Sequence, residues 1–476
     1  MGTGDVPERI GRRIEVGNVL LIRTVENSMS TSKHLTRRYG PAAAAVVASV
    51  ALVVLVQANP GLGAAEDLPL VSPETVGMSS ERLGRISTYV QGYIDRDQIA
   101  GAITLVARKG KVVHFEAQGW RHKEENVPMT NDTIFELASM TKPIVSAALM
   151  MLFEEGRFRL DDPISNWLPE YADHKVRLTG YGGNRTVTES RPITVRHVLT
   201  HTSGLTMSPN GRGLSTEERG RATNNGDGFG TMLEHVKAAA VIPAFFHPGD
   251  EWRYGDSTNY VAALVESISG KTLGAFLQER IFDPLEMTDT HYYVPRQKTI
   301  QVSALYGSAE DNTITLTRAP AFVEPTRYFQ GVAGLKSTTA DYYRFAQMLA
   351  NGGEFDGVRL LGRMTVNNMI TNQTGALPIE PRGPGYGFGL GFGIVTNPAK
   401  TADALSIGSY TWGGAFGTLY WADPVEDLIG LLMIQLSPWT PIWFEIRPLF
   451  SNVVTQAVVD SLADQRPSIM GHATPF

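Results

Sequence analysis

Ser139 and Lys142 stand three residues apart in FELASMTKPIVSAALMMLFEEGRF, residues 135 to 158. That spacing puts a hydroxyl and an amine on one face of a helix. Pro143, directly after Lys142, is tolerated only in or beside a first turn, so the pair belongs at a helix N-terminus. There the helix dipole and free N–H groups favour negative charge as it develops. A serine attacks a carbonyl only if a neighbour takes its proton. A lysine can do so when burial or a second cation weakens its hold on its own. Spacing alone is a weak signal, because Ser30 and Lys33 repeat it where catalysis is out of the question.

The elements that would position the pair can be read on either side of it. SSERLGRISTYVQGYIDRD, from Ser79, has Leu83, Ile86, Val90, Tyr93 and Ile94 at helical spacing behind a serine cap. AITLVAR and KVVHFEAQG, broken at Lys109-Gly110, read as a hairpin. Residues 160–330 read as short helices among Gly-, Pro- and Asn-rich loops, with one clear helical region at 261–281. Strand-like runs return as GFGLGFGIV, GTLYWAD and LIGLLMIQ, and FEIRPLFSNVVTQAVVDSLA closes the chain as an amphipathic helix. The simplest solution is α+β: the two ends join in one antiparallel sheet flanked by helices, about 70–145 and 330–470. An α-rich lobe, about 146–329, stands beside it, and a cleft lies where they meet.

Composition narrows the chemistry. The chain has 476 residues, 42% hydrophobic, with a net charge of −6 and no basic block after residue 40 of the kind that binds nucleic acid. Absence of cysteine excludes disulfides, thiolate metal sites and a cysteine nucleophile. No H-E-x-x-H occurs, and no metal or cofactor is expected. No G-x-S-x-G occurs either, so a nucleophile elbow is unsupported.

Ahead of the catalytic part, TSKHLTRRYG is followed by the apolar run Ala42–Val56 and by Gly63-Ala64-Ala65, the three regions of an export signal. The run is short for a membrane span, which takes about twenty residues. Cleavage after Ala65 is the expectation, with an uncleaved anchor as the alternative and Met29 a candidate true start. Removing residues 1–65 takes away 7 basic and 4 acidic side chains, moving the net charge from −6 to −9. Residues 66–476 are then a single catalytic domain, periplasmic or secreted, with oligomeric state unspecified.

SMTK, LTHTSGL (199–205), PGDEWRYGDSTNY, GVAGLKSTTADYYRF and WGGAFGTLYWADP follow one another in the order seen in the serine β-lactamase and penicillin-binding-protein superfamily. The chain most resembles the branch holding class C β-lactamases and family VIII esterases, over about residues 70–460. The resemblance implies that Ser139 is the acylated nucleophile and Lys142 its proton acceptor. Tyr254, in WRYGD, would carry protons to the leaving group and activate water. The N–H groups of Ser139 and Ala415 would form the oxyanion hole, worth on the order of a hundredfold or more in rate.

Two departures from that pattern carry the substrate argument. Trp412-Gly413-Gly414 stands where the family has Lys-Thr-Gly, so a cation that binds an antibiotic's carboxylate is replaced by an indole. Asp256 stands where class C enzymes have an asparagine, and a carboxylate cannot donate to a substrate amide unless protonated. Both residues, with Gly413 and Gly414, are expected at the substrate, and both changes point to small carboxylic esters. The alternatives are a β-lactamase or D-alanyl-D-alanine peptidase, a short-amide hydrolase, or a binding protein that keeps the fold without the chemistry. His201 is expected to tie a loop to a helix, and Glu154-Glu155 to face solvent.

Overall fold

A computed structural model describes residues 68–178, 185–207, 230–380, 382–438 and 440–460. The expected export signal and its cleavage site lie outside the described residues.

The N-terminal hairpin forms as read: β1 (Gly101–Arg108) turns at Lys109-Gly110 into β2 (Lys111–His122), followed by the short β3 (Val127–Pro128). Lys109 and Gly110 both take positive φ, which the tight turn requires and which glycine adopts without penalty. From the C-terminal part come β4 (Tyr386–Phe388), β5 (Gly393–Val395), β6 (Tyr410–Gly413), β7 (Leu419–Asp423) and β8 (Leu428–Met433). They join the hairpin in one eight-stranded sheet of order β4-β5-β6-β7-β8-β1-β2-β3, with every pair antiparallel. The seam that unites the chain's two ends is β1 against β8, running from Ile103 opposite Met433 to Arg108 opposite Leu428.

Every residue of β1 and β8 is buried. Such strands cannot alternate apolar and polar and need cover on both faces. Helices α1 (Arg85–Asp95) and α5 (Pro441–Thr455) pack on each other and on the sheet, and α4 (Thr339–Ala350) packs on β1, β7 and β8. Helix α2 (Thr141–Glu154), which follows Ser139, packs on α3 (Ser257–Ser269) of the helical lobe. Residues 141–152 of α2 are all buried, so it is a core helix with no solvent stripe.

Two local readings change and a third gains detail. The helical region at 261–281 breaks at Gly270, whose φ of 73° ends α3 in a left-handed cap. The middle of the chain is not purely helical: Lys175–Leu178 pairs with Arg185–Thr188, and Leu305–Ser308 with Ile314–Arg318. These four-to-five-residue hairpins carry too few alternating positions to stand out from their polar loops. Glu154 and Glu155 are exposed, yet Glu154 accepts a hydrogen bond from the Gly362 N–H at 2.6 Å and Glu155 pairs with Arg280 at 2.8 Å.

Candidate active site

Ser139 sits in the 3₁₀ turn Ala138–Met140 that leads into α2. Ala138 has φ 44°, a left-handed conformation that costs a non-glycine residue about 1–2 kcal/mol. The turn holds because its surroundings over-determine it. The Tyr342 hydroxyl donates to the Met140 carbonyl at 3.1 Å, the Leu137 N–H to the Leu335 carbonyl at 2.9 Å, and the Thr418 hydroxyl to the Leu137 carbonyl at 3.2 Å. Strain placed beside a reacting group and held by its neighbours is a recurring feature of functional sites.

The geometry brings Ser139, Lys142 and Tyr254 together. Lys142 Nζ lies 3.1 Å from Ser139 Oγ, and the Tyr254 hydroxyl lies 2.7 Å from the same oxygen, although Tyr254 is 115 residues away. Lys142 is 3% exposed. It also donates to the Val332 carbonyl at 3.0 Å, and its ammonium lies 4.7 Å from the centre of the Tyr254 ring. Val332 is fixed in turn by α3, where Asn259 Oδ1 accepts from the N–H groups of Gly331 and Val332 at 3.0 and 3.2 Å. A serine oxygen held between an amine and a phenol has two routes for its proton within hydrogen-bond reach.

Ser139, Tyr254, Trp412, Gly413, Gly414 and Ala415 all line one cavity of about 600 Å³. The N–H groups of Ser139 and Ala415 have no acceptor among the described residues, which leaves both available to an oxyanion. Gly414 fits only as glycine, since a Cβ there would overlap Thr418 Oγ1 and the Leu137 carbonyl. The edge of β6 thereby approaches the Ser139 turn closely.

Asp256 is placed differently from the expectation. Its Oδ2 accepts from the Met207 N–H at 2.8 Å and the Thr206 hydroxyl at 3.2 Å, and the residue is not among those lining the cavity. At the start of α3 it fastens the 199–207 loop instead of facing a substrate. Trp412 is 4% exposed, with its ring 5.3 Å from those of Tyr254 and Phe388, so it is both cavity wall and core.

His201 also departs from its reading. The loop is tied through its backbone carbonyl, which accepts from the Arg253 N–H at 2.9 Å. The imidazole is buried with Nδ1 unpartnered, 5.1 Å from the Tyr254 ring and packed on Trp252 and Phe388. Burial first, then the Lys142 charge, holds it well below the usual histidine range and therefore neutral.

Among the cavity residues that escaped the sequence reading are two cations, Arg382 and Arg447. Arg382 sits in a Gly- and Pro-rich loop with no periodicity to aim it. Arg447 left one trace, as the single basic residue of the apolar stretch FEIRPLF.

A family model described as beta-lactamase matches residues 86–449. An uncharacterised protein of Mycobacterium tuberculosis is 34% identical over 355 residues, spanning 72% of this chain and 88% of its own. Esterase EstB of Burkholderia gladioli is 30% identical over 354 residues, 71% of this chain and 86% of its own. Among solved structures, the fold is shared with EstCE1, a hydrolase with promiscuous acyltransferase activity. That match has a TM-score of 0.64 at 23% identity, covering 79% of this chain and 98% of that one. The chain belongs to the beta-lactamase family.

Proposed function

We propose that the chain is an exported serine hydrolase that cleaves small carboxylic esters through an acyl-enzyme on Ser139. The observation that carries this is the placement of Ser139 Oγ, 3.1 Å from Lys142 Nζ and 2.7 Å from the Tyr254 hydroxyl, in the wall of the cavity. Lys142 and Tyr254 take the serine proton as Ser139 attacks the ester carbonyl. The carbonyl oxygen turns to the Ser139 and Ala415 N–H groups. The pair returns the proton to the departing alcohol or phenol, and the same groups then activate water to release the acid. Relatives named for ester chemistry support this reading, EstB and a lovastatin esterase of Penicillium rubens that is 28% identical. Export rests on the signal pattern at 31–65 and would be checked by N-terminal sequencing of the protein recovered outside the cytoplasm. Labelling by a fluorophosphonate, lost in Ser139→Ala, tests the nucleophile. Labelling that persists in that variant would exclude Ser139.

A further inference from the structure

Arg447 places a guanidinium in the wall of the cavity. It makes no ion pair among the described residues, and its Nε is buried with no hydrogen-bond partner. Its charge faces the indole of Trp443 at 4.5 Å, and Gly413 supplies the slot, because a Cβ at 413 would overlap the guanidinium. Arg382 adds a second cation, 5.1 Å from the Trp412 ring and 5.7 Å from the Tyr386 ring. Two carboxylates also line the cavity, Glu380 and Asp403. Asp403 accepts from the Tyr386 hydroxyl and, at 3.0 Å, from the Ser451 hydroxyl, and its charge favours the Arg447 cation without an ion-pair contact among the described residues.

Burial first, and then the Arg382 charge, pushes the Arg447 guanidinium down to about 9, so it is still protonated at neutral pH. Arg447 as a whole is half-buried, and a buried N–H donor left without an acceptor calls for a partner. The replacement of the family's lysine by Trp412 therefore does not empty this end of the cavity of positive charge. The charge enters from α5 and from the 382 loop instead.

We propose that this site selects esters that also carry a free carboxylate, held by Arg447 with Arg382 beside the Gly413 end of β6. Arginine's planar fork donates two parallel hydrogen bonds to a carboxylate, which a lysine cannot match. Gly413 lies two residues before Ala415, so the anion sits along the strand from the oxyanion position. Trp443, Phe444 and Leu405 offer apolar cover to the chain between the two groups. The inference rests on the ester-hydrolase reading for turnover, though not for binding.

The test compares mono-4-nitrophenyl glutarate with its neutral methyl ester, both releasing nitrophenolate. The unaltered protein is expected to favour the acid at least tenfold in kcat/KM. That ratio should fall at least tenfold in Arg447→Met and recover in part in Arg447→Lys. A ratio near one in the unaltered protein, or an unchanged ratio in Arg447→Met, would overturn the proposal. Should Arg447→Met fail to show a cooperative melt, the ratio in the unaltered protein and its fall in Arg382→Gln decide. Calorimetric titration of glutarate into Ser139→Ala separates the two readings: binding there, with neither ester turned over by the unaltered protein, would retain the anion site and reject the hydrolase.

Discussion

At the residue scale, Tyr254 carries the sharpest expectation. Its hydroxyl meets Ser139 Oγ while its ring packs on Trp252, His201 and Trp412. Tyr254→Phe removes the first contact and keeps the others, so kcat for an ester should fall about 10²–10⁴-fold, the usual contribution of a positioned acid–base group. The melting temperature should hardly move. A fall in stability with little loss of kcat would make Tyr254 a packing residue. Ser139 and Lys142 were legible from their spacing at a helix start together with the motif order, and Tyr254 only through the resemblance that WRYGD carries. Trp412 was read only in part: with 4% exposure it is core as well as wall, so Trp412→Lys would bury a charge and destabilise the fold before it changed specificity. Arg447 and His201 were not legible in their roles, because what each faces depends on elements that sequence spacing does not bring together.

At the element scale, the site depends on how closely β6 meets the Ser139 turn. Gly414→Ala places a methyl group against Thr418 Oγ1 and the Leu137 carbonyl, one of them backbone that cannot swing aside. The strand edge must withdraw, carrying the Ala415 N–H with it, and kcat should drop by on the order of a hundredfold, the worth of one oxyanion donor. Unchanged kcat would remove Ala415 from that role. The start of α3 makes a contrasting case. Asp256→Ala releases the Met207 N–H and the Thr206 hydroxyl, costing about 1–3 kcal/mol where those groups are shielded from water. Its effect should appear in thermal melting and not as a change of substrate preference. The hairpin, the returning strands and the last helix were visible in the sequence as runs of the right period. The split of GFGLGFGIV into β4 and β5, and the break at Gly270, were not. Both are set by backbone conformations that local periodicity does not encode.

At the scale of the whole molecule, the union of the chain's two ends in one sheet was foreseeable, because the strand-like runs lay at the ends with a helical insertion between. The titration of the fold follows from what that packing buries. Burial holds His174, His197 and His291 down to about 4, against 6.5 for a free histidine. Between those values the unfolded chain binds more protons than the native one, so these groups make stability rise with pH from about 4 to 6.5. Asp341, raised to about 6 by burial, and Glu189, raised to about 7 by burial, act in the opposite sense over the same range, because their native forms hold the extra proton. The buried His201 joins the histidines, which therefore prevail. The melting temperature should fall as pH drops from 7 to 4.5, and a melting temperature that rises over that interval would contradict the assignment of buried neutral histidines. The central claim is tested most directly by hydrolysis of p-nitrophenyl butyrate and nitrocefin, side by side, by the chain starting at Glu66 and by its Ser139→Ala variant. The account predicts ester turnover that far exceeds nitrocefin turnover and disappears with Ser139. Ester turnover that survives in Ser139→Ala, or nitrocefin turnover that outruns the ester, would contradict it.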